Sequence, residues 1–215
     1  PILDHLAIID LSSWRSGRRE LKWIFERIGF EEKGGGYLPD KQNDFLWMRE
    51  KQFGATKFGE SLPQLVLADF RNELFSEGTQ ELIARLTEKM PQFDFDLLDR
   101  NIKALENGDP FATSAICEQI LGYLQNHQWR VPTKDEYEQL RKENNLLAWV
   151  AVFGRKVNHF GVCINGLKGF KNLNEFVDHI KNAKLTQLNS IEGEVKGGDA
   201  DGIAQASSIG SPVAI

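Results

Sequence analysis

Leu3-Asp4-His5-Leu6-Ala7-Ile8-Ile9, at the start of the chain, is echoed by Val157-Asn158-His159-Phe160-Gly161-Val162-Cys163-Ile164. Each stretch runs apolar, Asp or Asn, His, bulky apolar, small, then β-branched. Their apolar density and β-branched content read as largely buried strands. The two histidines stand 154 positions apart, in a chain with only four. One His within an apolar strand is more often a packed or solvated residue than a ligand. Two at equivalent places of a repeated strand point instead to a metal site built from both copies. Imidazole is the commonest protein ligand for first-row transition metals.

Working outward, the first strand extends over 3–11. Ser12 and Ser13 then offer an N-cap for a helix over roughly Trp14 to Ile28, with Leu21, Ile24, Phe25 and Ile28 at helical spacing and Gly29 as its stop. Phe30 to Lys33 is extended, Gly34-Gly35-Gly36 reads as a flexible turn, and Phe45 to Met48 and Leu62 to Phe70 read as further strands. The second histidine strand is followed by the same order. Gly166 and Gly169 mark a loop, and a helix spans Asn172 to Lys184 with Leu173, Phe176, Val177 and Ile180 inward. Leu188 to Glu194 and Ile203 to Ser208 read as strands around a polar turn over Lys196 to Gly202.

Between the two copies the pattern becomes helical. Thr79–Met90, Phe93–Leu105, Phe111–Gln125 and Lys134–Glu143 carry apolar residues at a period near 3.6, and Leu146–Phe153 is a buried apolar element. The expected organisation is therefore an α+β fold of two pseudo-repeated strand-helix-strands modules, 1–75 and 156–215, separated by a helical insertion over 76–155. The second module reads as cut short before its last strand.

Composition sets outer limits. The 215 residues are 41% hydrophobic and 27% charged, which suits a globular protein with a sizeable core. A net charge of −5 argues against a nucleic-acid partner. No apolar run approaches the roughly 20 residues of a membrane span. The start of the chain lacks the pattern of a signal peptide. Cys117 and Cys163 form no CxxC and no disulfide framework, so the expected compartment is the cytoplasm. No P-loop, GxSxG or HExxH is present. Cys163 follows His159 by four residues, about 13 Å along a strand and too far for a nucleophile–base pair.

His5 and His159 are thus the expected metal ligands. His127, at a helix end, and His179, within the second module's helix, read as structural or solvated. Asp69, at the end of the first module's last strand in Val66-Leu67-Ala68-Asp69-Phe70-Arg71, is a candidate third ligand or, with Arg71, a substrate contact; a surface arrangement with Arg71 or a capping role reads equally well.

The paired histidine strands resemble the vicinal oxygen chelate superfamily of glyoxalase-like metalloenzymes. More closely, the chain resembles the 2-oxoadipate dioxygenase/decarboxylase family, also called hydroxyglutarate synthase. The resemblance is carried by Asp4-His5-Leu6-Ala7, Tyr37-Leu38-Pro39-Asp40-Lys41, Leu62-Pro63-Gln64-Leu65-Val66, Ala148-Trp149, Gly154, Val157-Asn158-His159-Phe160 and Gln205-Ala206-Ser207-Ser208. It implies a divalent metal, Fe(II) first with Zn, Mn or Ni as alternatives, held by His5, His159 and a Glu. That Glu is expected after the Gln205–Ser208 segment, beyond Ile215. It also implies that Gln205 and Ser207 line the substrate pocket. Family members carry an Arg four residues after the first His to hold the substrate carboxylate. Here that position is Ile9, which has no N–H donors to offer a carboxylate.

The expected function is a non-haem iron(II) dioxygenase/decarboxylase acting on a small 2-oxo acid. The alternatives are a glyoxalase-like hydrolase, lyase or isomerase using a divalent metal as Lewis acid, and a metal-free binding module.

Overall fold

The computed structural model describes residues 3–52, 61–184, 187–188, 195–198 and 203–209. These fall into two compact units, divided between Gly161 and Val162.

The first unit is built on a mixed sheet. Its strands are β1 (Leu3–Asp10), β2 (Phe30–Leu38), β3 (Asn43–Glu50), β4 (Gln64–Phe70) and β5 (Val157–Val162), in the order β2-β3-β4-β1-β5. β1 and β4 are parallel, with His5 opposite Gln64 and Asp10 opposite Asp69. β2 with β3 and β3 with β4 are antiparallel. The sheet is covered by helices on both faces, because apolar residues fill both phases of the strand alternation. Ile9, Ala68 and Phe70 pack against α2 (Glu77–Thr87), α5 (Lys134–Glu143) and α6 (Asn145–Phe153) through Leu82, Ile83, Leu140, Leu147 and Val150. Ile8, Leu65 and Leu67 pack against α1 (Arg18–Arg27), α3 (Phe95–Glu106) and α4 (Ala112–Gln125) through Leu21, Ile24, Leu98 and Ile116.

Two local expectations are corrected. Gly34-Gly35-Gly36 is not a turn. β2 runs straight through it, with a bulge between Glu32 and Gly34. The glycines serve close approach: a Cβ on Gly35 would lie 2.4 Å from the Phe45 carbonyl oxygen, and one on Gly34 2.7 Å from Trp47 Nε1. The chain reverses instead through a 3-10 turn at Pro39–Lys41, closed by Gln42 in the left-handed region with φ 53°.

Helix α1 also starts four residues later than expected, and neither Ser12 nor Ser13 caps it. Two strand-end aspartates do so. Asp10 Oδ2 accepts from the Gly17 amide at 3.0 Å, and Asp69 Oδ2 from the Arg18 amide at 3.1 Å. These are the donors that a helix start leaves unpaired. Gly17, at φ 124°, has Asp69 Oδ2 only 2.6 Å from where a Cβ would stand.

Asp10 is fully buried and serves a second partner. Arg155, 1% exposed, donates from Nε to Asp10 Oδ1 at 3.1 Å and from Nη1 to the Tyr123 carbonyl at 3.1 Å. Its guanidinium stacks 3.7 Å from the Tyr123 ring centroid.

In the second unit, α7 (Leu173–Ala183) begins on Asn172, whose side chain accepts from the Glu175 amide. A hairpin pairs β6 (Lys196–Gly198) with β7 (Ile203–Gln205). Lys196 to Gly198 is therefore strand rather than turn, since Gly197 and Gly198 are held by ladder bonds to the facing strand. The strand expected over Leu188–Glu194 lies mostly outside the described residues; Leu188 itself bridges to Ser208.

Candidate metal centre

β1 and β5 are neighbours in the sheet, and this brings His5 and His159 together. Their Nε2 atoms lie 3.3 Å apart. The rings meet edge to face, with centroids 5.3 Å apart and planes at 87°. Each ring is oriented by the residue before it. His5 Nδ1 is 2.8 Å from Asp4 Oδ2, and His159 Nδ1 is 2.9 Å from Asn158 Oδ1. Carboxylate and amide oxygens only accept, so each Nδ1 is the donor in these contacts, and the neutral form of either ring leaves its Nε2 unprotonated. Both Nε2 lone pairs then point at one another. Two acceptors facing at this distance repel unless a proton or a metal cation lies between them.

The separation suits a shared ion. With metal–nitrogen bonds of about 2.1 Å, a 3.3 Å separation subtends about 100° at the metal, between octahedral and tetrahedral angles. His159 is reached by solvent, yet the protein around its ring pushes its pKa below the ordinary imidazole value, with His5 adding to the effect. The neutral form is the one that binds metal. Among the described residues no third His, Cys, Asp or Glu completes the group.

Asp69 and Arg71 are not brought to this pair. Asp69 faces Asp10, five residues along β1 from His5 and about 17 Å away by strand rise. Its carboxylate is occupied by α1 and by Arg18 Nη1 at 2.7 Å. Burial raises the Asp69 pKa, against the pull of Arg18. Arg71 forks onto Asp44, at 3.0 and 2.7 Å, and lies over the Tyr37 ring. Arg71 and Arg18 in turn hold the Asp44 carboxyl below the usual carboxylate range. These residues line an open polar cleft of about 430 Å³ at the opposite end of β1 and β4 from His5. Their charges are matched within the cleft, so neither Asp69 nor Arg71 is placed to hold a metal or substrate at the histidines.

The other expected residues fall as follows. Gln205 is on β7 opposite Lys196, and Ser207 follows it; both are exposed. Ile9 is 7% exposed and packed in the core beneath α2, α5 and α6. His127 is structural. Its ring nitrogens contact the carbonyls of Trp129 at 2.6 Å and Val152 at 2.9 Å. His179 meets the Phe170 ring edge-on, with centroids 5.3 Å apart.

Asp4, Asn158 and Gly161 border the two histidines, and the sequence assigns them no role. The repeated pattern contained all three, as the polar residue before each His and the small residue two after it.

A mixed sheet in which two histidines meet across adjacent strands is the architecture to be compared with known folds. A protein from Ralstonia eutropha JMP134 assigned to the glyoxalase superfamily shares this fold, with a TM-score of 0.71 and 18% identity over 93% of this chain and 60% of that one. The profile of the 2-oxoadipate dioxygenase/decarboxylase family matches residues 2–211, and the chain belongs to that family. The Arabidopsis thaliana 2-oxoadipate dioxygenase/decarboxylase, chloroplastic, is 26% identical over 218 residues. That match covers 98% of this chain and 52% of the relative, so the chain spans about half the length of the curated relative. The hydroxyglutarate synthase of Oryza sativa, solved in complex with 2-oxoadipate, has a TM-score of 0.68 at 18% identity, over 96% of this chain and 66% of that one. Among the described residues, no helix is long and apolar enough to cross a membrane.

Proposed function

We propose that the chain provides two ligands of a mononuclear metal centre in a non-haem iron(II) dioxygenase/decarboxylase acting on a 2-oxo acid. The observation that carries this is the pair of Nε2 atoms facing at 3.3 Å, each with its Nδ1 proton already given to Asp4 or Asn158. His5 and His159 would hold the ion, with a carboxylate from outside the described residues as third ligand. The ion would supply a Lewis-acidic, redox-active centre with open positions for a 2-oxo acid and oxygen.

The chain's own residues do the positioning. Asp4 and Asn158 lock each ring in the tautomer and orientation that present Nε2. The family resemblance, rather than any geometry, assigns Gln205 and Ser207 to the substrate. Ile9 lies in the core, so a second substrate carboxylate is not gripped at that position. The unpaired thiols of Cys117 and Cys163 suit a reducing compartment such as the cytoplasm.

The same Ile9 favours a second reading, in which the ion acts only as a Lewis acid in a hydrolase, lyase or isomerase reaction.

Anaerobic purification of the full-length protein followed by metal analysis tests the centre. One ion per chain is expected, lost in both His5→Ala and His159→Ala. Oxygen uptake across a panel of 2-oxo acids tests the reaction. No uptake with any of them, despite bound iron, would leave the Lewis-acid reading. No bound metal would leave a metal-free binding module.

A further inference from the structure

Gly161 follows His159 by two residues on β5, so the two positions share one face of the sheet. His5, from the adjacent strand, lays its imidazole directly against this glycine. A Cβ at Gly161 would stand 2.2 Å from His5 Cε1, 2.3 Å from Nδ1 and 2.9 Å from Nε2. Gly161 is not among the glycines at positive φ. It is needed for the space above it, not for an unusual backbone angle.

The ring has little freedom to step aside. Its Nδ1 is tied to Asp4, and its other edge faces His159 in the T-shaped contact. A methyl group placed beneath it must tilt the imidazole, break the Asp4 bond or widen the gap between the two Nε2 atoms. The equivalent small residue of the first strand is Ala7, 2% exposed. That position accommodates a methyl group; the one on β5 does not.

We infer that Gly161 is a positioning residue, which sets the His5–His159 separation and through it the bite angle offered to the ion. This rests on the metal-centre reading above. Gly161 touches neither metal nor substrate in this role; it acts through His5.

The test is a double-mutant cycle on Gly161→Ala and His5→Ala, read by Mn(II) and Zn(II) binding calorimetry and by thermal unfolding of the metal-free protein. Gly161→Ala should weaken metal binding on the order of 10- to 100-fold, the range for residues that orient a ligand. It should lower the Tm of the metal-free protein in the parent background. In the His5→Ala background, where the ring is gone, the same substitution should change neither Tm nor the residual metal affinity. If Gly161→Ala alone does not fold, recovery of folding in the double variant supports the inference, and its failure to recover overturns it. Metal binding by Gly161→Ala as tight as the parent's, or equal Tm losses in both backgrounds, would also overturn it. A parent protein that binds no metal overturns the metal-centre reading itself.

Discussion

Asp4 and Asn158 are chemically unequal partners in otherwise matching places. A carboxylate orients an imidazole through a stronger, charge-assisted hydrogen bond than an amide does, so loss of Asp4 should be felt more than loss of Asn158. Asp4 is 44% exposed and its recorded contact is with His5, so the fold leans on it little. Asp4→Ala should weaken metal binding by about 10- to 100-fold in calorimetry. Its urea midpoint should stay within error of the parent's. The Asp/Asn-His pattern was plain in the sequence, and the meeting of the two histidines could be read from it. The work of Asp4, Asn158 and Gly161 could not. It depends on which ring nitrogen each oxygen meets, and on a cross-strand distance that strand periodicity leaves open.

Helix limits turned on where their end groups find partners. For α5 the sequence matched the structure because its cap is local. Thr133 accepts from the Glu136 amide, and Glu136 accepts from the Thr133 amide. For α1 the cap comes from two strands, Asp69 arriving from 51 residues away in sequence, so a nearby serine was the wrong guide. The α5 cap is also pH-sensitive. The Arg130 guanidinium, followed by the Thr133 amide, holds the Glu136 carboxyl at about 2, below its usual 4.5. The folded state therefore favours the carboxylate. The stabilisation is complete above about pH 4.5 and fades as pH falls toward about 2. Glu136→Gln should be less stable than the parent in urea titrations near neutrality. The two curves should converge as the pH is lowered through that window.

Across the whole molecule, β1 links distant parts of the chain through one buried ion pair. Asp10 closes the start of α1 and pairs with Arg155, two residues before β5. Arg155→Met should cost on the order of 3–5 kcal/mol in chemical denaturation, because it strands a buried carboxylate. Replacing Asp10 and Arg155 together by apolar residues should cost less than the single change. Nothing local in the sequence marks Arg155 as a buried arginine, because its partner Asp10 lies 145 residues away. The order of the first strands and helix, and the helices between the two histidine strands, were legible because their apolar periods are long and regular. The Gly34–Gly36 stretch and the Lys196–Gly198 strand were not. Glycine there signals tight packing or strand pairing, and composition alone reads it as a bend.

The placement of β5 at the sheet margin has a consequence for how the protein comes apart. His5 and His159 bracket 153 intervening residues, which include all five helices of the insertion. An ion held between them is a clasp on a closed loop of that length. It would oppose fraying of the marginal strand, and the entropy lost on closing so long a loop depends only weakly on its exact length. On the proposed metal centre, occupancy of the site and integrity of the sheet edge would be one equilibrium. A reagent that strips such an ion would also loosen β5.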